Sequence, residues 1–186
     1  MSFNFDLLKS KIISGIKESV KGISNNEKDE TIYAYSLLIS SNDLYIGVCA
    51  NTKEYLEENI ENEEDRAYYK YCEQEWKIYN ETNEYFEETE EIIKKYLKEN
   101  SSLISDKNSI YTDFFEDFRE KVLSTGVDAL IETKEINEFK KIQRVGGFIN
   151  FMVPEYLDQE ESIDIFTRLN NGETVEEYKN NIEEFL

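Results

Sequence analysis

The chain lacks histidine, has only two cysteines, Cys49 and Cys72, and is poor in basic residues. Without histidine, imidazole-based catalytic triads, His-ligated metal sites and His-based pH switches are excluded. Two cysteines alone do not complete a zinc site, so we expect no metal and no other cofactor. The 21 Lys and Arg residues stand against 41 Asp and Glu residues, a net charge of −20. This balance argues against a basic surface that binds nucleic acid.

Proline and long apolar runs are also scarce. One Pro and seven Gly among 186 residues are too few for a linker-rich or fibrous chain. No segment approaches the ~18 consecutive apolar residues of a membrane span, and the first twenty residues lack the apolar core of a signal peptide. We therefore expect a cytoplasmic protein that does not enter the membrane, with reduced thiols. Aromatic residues make up 13% of the chain, which indicates a folded protein despite its charge.

The length favours a single domain over residues 1–186. Ile32–Ile39 and Tyr45–Ala50 are rich in β-branched and aromatic residues around a polar turn, which predicts an antiparallel hairpin. Phe148–Val153 predicts a third strand, ended by Pro154. Helices over Asn4–Ile23 and Ile110–Ile131 follow from apolar residues at helical spacing and should pack against the sheet. The predicted fold class is α+β, with a mainly antiparallel sheet and packed helices.

The other predicted elements are shorter. Asn51 and Thr52 can cap a short acidic helix to about Ile60. The segment Ala67–Tyr79 suits strands or an aromatic loop better than a helix. We also predict a break near Gly126 in the helix over Ile110–Ile131. Three further helices are predicted over Asn83–Asn100, Ser162–Leu169 and Thr174–Phe185, and a loop over Ser101–Asn108.

Acidic charge is concentrated in the middle of the chain. Residues 54–91 contain fifteen Asp and Glu residues but only Arg66, Lys70 and Lys77, a net charge of −12. The aromatic string Tyr68–Trp76 interrupts this block. Tyr and Trp dominate binding hot spots, but they also anchor poorly hydrophobic segments to a core. Both interpretations of the string stay open at this level.

Residues that could carry chemistry give no catalytic or metal-site assignment. Asp113, Glu116 and Asp117 lie within one turn and could gather a divalent cation, but the solvent side of a helix is the simpler interpretation. Cys49 or Cys72 would need Lys or a helix terminus to activate a nucleophilic thiolate. A packed, inert thiol is the simpler interpretation for Cys49, which lies within an apolar strand. No phosphate-binding loop is present in the sequence.

The string from Tyr68 to Trp76 resembles a motif of an uncharacterised bacterial domain family. The matching residues are Tyr68-Tyr69, the aromatic Tyr71 and Glu75-Trp76. The family often has Trp where this chain has Tyr71, and Pro where it has Glu73. The order of an N-terminal helix, a hairpin, this string and an amphipathic helix is also similar. Such domains are often encoded near polymorphic toxins and are taken to be immunity proteins, so the resemblance implies an immunity protein, and it supplies no catalytic residues to carry over.

Charge and resemblance together predict a non-enzymatic acidic protein that binds a basic protein partner, of which a toxin domain is one example. A dense acidic surface steers a basic partner and raises its encounter rate, although negative charge also serves solubility. A structural or adaptor role, a carboxylate-based hydrolase and a small-ligand-binding module stay open as alternatives. The predicted partner-binding residues, from the acidic block and the aromatic string, are Glu54, Glu57, Glu58, Glu61, Glu63, Glu64, Asp65, Tyr68, Tyr69, Glu75 and Trp76.

Overall fold

The computed structural model describes residues 3–80, 83–105, 110–154 and 157–184. Within these residues the fold contains eight α-helices and four strands. The strands are β1 (Ile32–Ile39), β2 (Ile46–Thr52), β3 (Ile78–Tyr79) and β4 (Phe148–Met152). The helices are α1 (Phe5–Asn26), α2 (Lys53–Asn59), α3 (Arg66–Tyr71), α4 (Glu87–Glu99), α5 (Asp113–Thr133), α6 (Asn137–Arg144), α7 (Gln159–Leu169) and α8 (Glu173–Asn181).

The four strands form one mixed sheet in the order β3-β2-β1-β4. The predicted hairpin is confirmed, because β1 and β2 pair antiparallel from Ile39 opposite Ile46 to Ile32 opposite Thr52. The predicted third strand also joins this sheet, but β4 pairs with β1 in parallel. A parallel neighbour needs a long crossover connection, and the helices between β1 and β4 provide it. The α+β class is therefore confirmed, with a sheet that is mixed rather than purely antiparallel.

One face of the sheet carries the two long helices. The predicted stripe of α1 is buried, including Leu8, Ile12 and Ile16, and α1 packs along α5 over β1. The predicted break near Gly126 is wrong, because α5 is continuous from Asp113 to Thr133. The glycine instead permits close packing: a Cβ at this position would lie 2.7 Å from Cδ1 of Ile39.

The other face is covered by α3, α7, α8 and the segment that ends at Trp76. Its core is aromatic and is centred on Phe148 of β4. The Phe148 ring lies 5.0 Å from Tyr71 and 5.4 Å from Phe166, measured between ring centroids. Both hydrophobic clusters therefore share the same sheet, one on each face.

The remaining predictions differ in outcome. Thr52 caps α2 as expected, because its side chain accepts a hydrogen bond from the Tyr55 N–H. The prediction for residues 67–79 is partly wrong, since residues 66–71 are helical and only Ile78–Tyr79 form a strand. Residues 83–86 form a 3-10 turn that leads into α4, and residues 101–103 form another. Helix α6 was not predicted.

Both C-terminal helices are present, as α7 and α8. The predicted end of the last helix at Phe185 and residues 106–108 of the predicted loop lie outside the described residues. Among the described helices, none combines the length and the apolar character needed to cross a membrane.

Candidate functional site

The predicted acidic residues lie on α2 and on the turn that connects it to α3. We call this surface the acidic face, and its exposed members are Glu54, Glu57, Glu58, Glu61, Glu63, Glu64 and Asp65. Helix α2 follows directly from β2, and Leu56 is the residue that α2 buries in the core. Tyr55 is half-buried, and the other five positions of this short helix are exposed. The structure therefore places these seven carboxylates together at the surface.

Arg66, the basic residue beside the acidic face, is already paired with carboxylates of that face. Arg66 donates two hydrogen bonds to Glu57, at 2.7 and 2.9 Å, and also contacts Glu63. The hydrogen bond with Arg66 lowers the pKa of the Glu57 carboxyl. In contrast, Glu58 and Glu61 have no hydrogen-bonding or ionic partner in the part of the chain that the structure describes, and the same holds for Glu64. These three charges are available to an external partner.

Two further members of the face, Glu54 and Asp65, also have partners within the protein. Glu54 accepts hydrogen bonds from the backbone N–H of Thr31 at 2.7 Å and from its hydroxyl at 3.0 Å. The first of these bonds is the main reason why the pKa of Glu54 is lowered. Asp65 accepts a 3.2 Å hydrogen bond from the side-chain amide of Asn62. Glu54 therefore ties α2 to the start of β1, in addition to carrying charge.

Tyr68 and Tyr69 border the acidic face on α3, and both are half-buried. Their rings meet edge to face with centroids 5.4 Å apart. The Tyr68 hydroxyl donates to Oε1 of Glu75 at 3.1 Å. The pKa of the Tyr68 hydroxyl is raised to about 12, mainly by its interaction with Cys72 and to a smaller extent by the hydrogen bond with Glu75. The structure thus brings Tyr68, Tyr69 and Glu75 together beside the acidic residues.

Trp76 does not belong to this surface. It is 3% exposed, its indole N–H donates to the Lys70 carbonyl oxygen at 3.2 Å, and its ring packs on Phe148 at 5.8 Å. The prediction that Trp76 presents an exposed edge to a partner is therefore wrong. Of the two interpretations of the aromatic string, anchoring to the core is the one that describes Trp76.

Sequence reasoning missed a cavity of about 690 Å³ on the second face of the sheet. We call it the Glu73 cavity. It lies between the turn that follows α3, the end of β4, the start of α7 and the end of α8. Its described lining residues combine apolar walls with polar groups: Tyr71, Cys72, Glu73, Gln74, Asn150, Phe151, Met152, Val153, Pro154, Leu157, Gln159, Ser162, Tyr178, Ile182 and Glu183.

Glu73 is a buried carboxyl at this cavity, with 8% of its surface exposed. Its Oε1 accepts a 2.6 Å hydrogen bond from the Asn150 side-chain amide. Asn150 lies opposite Ser36 where β4 pairs with β1. Burial raises the pKa of Glu73, and hydrogen bonding, including the bond from Asn150, acts in the opposite direction. Asn150 was the signal available in the sequence, as a polar residue inside the apolar run Phe148–Val153.

The thiols and carboxylates show no arrangement for redox or metal chemistry among the described residues. Cys49 and Cys72 are both free, and burial raises the pKa of each thiol. No cluster of three or more Cys, Asp or Glu residues suited to a metal ion occurs in that part of the chain. Glu116, one of the carboxylates considered for a cation, forms an ion pair with Arg119.

Comparison with known proteins identifies a family without a described function. The family model of a domain of unknown function, DUF4303, matches residues 12–171. This range runs from the middle of α1 to the end of α7, so it includes the whole sheet and most of the lining of the Glu73 cavity. Neither the curated proteins nor the solved structures give a match. The chain belongs to the DUF4303 family.

Proposed function

We propose that the protein is a non-enzymatic binding protein whose acidic face captures a basic protein partner. The observation that carries this proposal is the set of exposed charges at Glu58, Glu61 and Glu64, which have no internal partner among the described residues. A basic residue of the protein itself could neutralise these charges, but Arg66 is already hydrogen-bonded to Glu57 and Glu63. The charges therefore favour an external cation.

Capture proceeds in two stages in this account. The acidic face steers the approaching partner, because a surface with charges of one sign raises the encounter rate with a surface of opposite charge. Tyr69 and Tyr68 then supply amphipathic contact area beside the charges, as aromatic residues do at binding hot spots. Helices α2 and α3 pack on each other, so both parts of the surface are held in a fixed relation.

We further propose that the partner is a bacterial toxin domain, which makes the protein an immunity protein. A nuclease toxin must attract nucleic acid and therefore presents Lys and Arg residues around its active site. The acidic face would occupy that basic surface and exclude the substrate. The support for this finer assignment is the resemblance of the Tyr68–Trp76 string together with the sign of the charge.

A small-ligand-binding module is the second candidate function. Its support is the Glu73 cavity, whose volume of about 690 Å³ lies in the ~300–1,000 Å³ range of ligand pockets. A carboxylate-based hydrolase needs two carboxyls with different pKa values placed around a scissile bond. Glu73 and Glu183 both line the cavity, but Glu183 is exposed at its rim, so a ligand-binding role is favoured over this alternative.

A growth assay tests the proposed function. The protein encoded beside this chain's gene is expressed in bacteria with one of three forms of the chain: wild type, the variant Glu58→Gln/Glu61→Gln/Glu64→Gln, or a control variant. The control is Glu99→Gln/Asp117→Asn/Glu120→Gln, which removes the same charge from exposed residues on α4 and α5.

The proposal predicts that wild type and control restore growth and copurify with the neighbouring protein, whereas the acidic-face variant does neither. Equal protection and equal copurification by all three forms would remove the acidic face from the proposal. A neighbouring protein that is harmless and does not bind the chain would remove the immunity role.

A further inference from the structure

We propose that the Glu73 cavity binds a small organic cation, an ammonium group on an apolar stem, with Glu73 as the counter-ion. The inference deepens the second candidate function and is independent of the acidic face. Glu73 lines the cavity, and its Oε1 accepts a 2.6 Å hydrogen bond from the Asn150 side-chain amide. A carboxylate has about four acceptor sites, so capacity remains for an ammonium donor.

The charges of the cavity select a cation over an anion. Glu73 and Glu183 are the charged residues among its described lining, which includes neither Lys nor Arg. The nearest basic residue in sequence, Lys70, is held by both carboxylate oxygens of Glu177, at 2.6 and 2.7 Å. An anionic ligand would therefore meet two carboxylates without a compensating cation, whereas a cation gains a charge-assisted hydrogen bond.

The walls of the cavity select the rest of the ligand. Met152, Val153, Leu157 and Ile182 provide apolar contact on the side of β4, α7 and α8. Tyr178 is held in a fixed position because its ring stacks on Phe166 at 3.8 Å. A ligand stem without polar groups suits these walls, because a polar group of the ligand that is buried against them without a hydrogen-bond partner would cost binding free energy.

Burial of Glu73 supports the same conclusion. A buried carboxyl with one side-chain amide donor retains a desolvation cost, which is why its pKa is raised. An ammonium ion bound beside it would offset that cost. The cation is therefore a better complement to this site than a neutral ligand of the same shape.

Benzylammonium is a suitable probe, with benzyl alcohol and benzoate as the neutral and anionic controls. Binding is measured by calorimetry and localised by the rate at which N-ethylmaleimide alkylates Cys72, which lines the cavity. We expect benzylammonium to bind with a Kd of about 1 mM or tighter and to slow alkylation. Benzyl alcohol keeps an O–H donor but lacks the positive charge, and benzoate is repelled by the two carboxylates, so each should bind at least about tenfold more weakly.

Two variants make the test specific. Glu73→Gln keeps the shape and an oxygen acceptor for Asn150 but removes the charge, and it should weaken benzylammonium at least about tenfold. Glu183→Gln, at the exposed rim, should change binding less than Glu73→Gln. If Glu73→Gln does not fold, the side-chain amide signals of Asn150 in the NMR spectrum of the wild type must shift with benzylammonium.

Three results would overturn the inference: no binding of benzylammonium at about 1 mM, equal binding of benzylammonium and benzyl alcohol, or binding that leaves both Cys72 alkylation and the Asn150 signals unchanged. None of them affects the acidic face, and unchanged partner capture by the acidic-face variant, which would overturn the first proposal, would leave this ligand site intact. The two proposals therefore fail separately.

Discussion

Replacement of Trp76 by alanine separates a core role from a binding role in the aromatic string. The side chain is 3% exposed and packs against Phe148. Removing a buried Trp costs about 3–5 kcal/mol of unfolding free energy through lost burial and the cavity left behind. The Lys70 carbonyl oxygen loses the indole donor but keeps the Tyr33 hydroxyl, at 3.3 Å. The hydrogen bond therefore adds little to this cost.

The expected change in melting temperature is large for a chain of 186 residues. Each kcal/mol shifts Tm by about 2–4 °C at this size, so Trp76→Ala should lower Tm by about 6–20 °C. Trp76→Phe keeps a ring and loses the indole N–H, and it should cost about 1–2 kcal/mol. Tyr69→Ala, at a half-buried position beside the acidic face, should change Tm much less than Trp76→Ala.

Circular dichroism melts and urea unfolding of these variants provide the measurement. A Tm for Trp76→Ala within about 3 °C of wild type, which corresponds to roughly 1 kcal/mol, would refute the core assignment. Loss of partner affinity with unchanged stability would instead make Trp76 an interface anchor. A larger effect of Tyr69→Ala than of Trp76→Ala on stability would also contradict the packing described here.

Three further predictions concern packing, titration and thiol access. Gly126→Ala should lower the free energy of unfolding, measured in urea, by about 1–3 kcal/mol, as overpacking does, because its Cβ would meet Ile39. Unchanged stability would show that α5 can shift to make room for the methyl group. Glu73→Gln should raise Tm above the folded pKa of Glu73, because a raised pKa means that the ionised form destabilises the fold. That gain should disappear as pH falls below the ordinary value of 4.5, and a gain that persists in acid would contradict the assignment. In thiol titration with a disulfide reagent, Cys72 should react in the folded protein and buried Cys49 only after unfolding; equal rates would contradict the burial.

Strands β1, β2 and β4 were predictable because they are rich in β-branched and aromatic residues, which fit a pleated, buried surface. Helix α3 was not, because Tyr68, Tyr69 and Tyr71 favour strands by composition, whereas contacts with the sheet and α8 decide their conformation. Helix α6 was missed because only Phe139 and Ile142 are buried in its eight residues, too few for a clear periodicity.

The two candidate sites differ in how far the sequence could reveal them. The acidic face is continuous in the chain, so its charge was visible as a local excess. The Glu73 cavity joins residues from the turn after α3, from β4 and from α8, which are distant in sequence. Composition does not show which of the 41 acidic residues are buried, because burial of a residue such as Glu73 depends on contacts that form only in the fold, here with Asn150 of β4.

The most direct test of the acidic face is the association rate between the chain and the proposed partner, the protein encoded by the neighbouring gene, measured by stopped flow at low ionic strength. We expect Glu58→Gln/Glu61→Gln/Glu64→Gln to slow association about tenfold or more and to flatten its dependence on salt, with a nearly unchanged dissociation rate. The control Glu99→Gln/Asp117→Asn/Glu120→Gln should keep most of the wild-type rate. Equal association rates for the two variants at low salt would contradict the claim that the acidic face captures the partner.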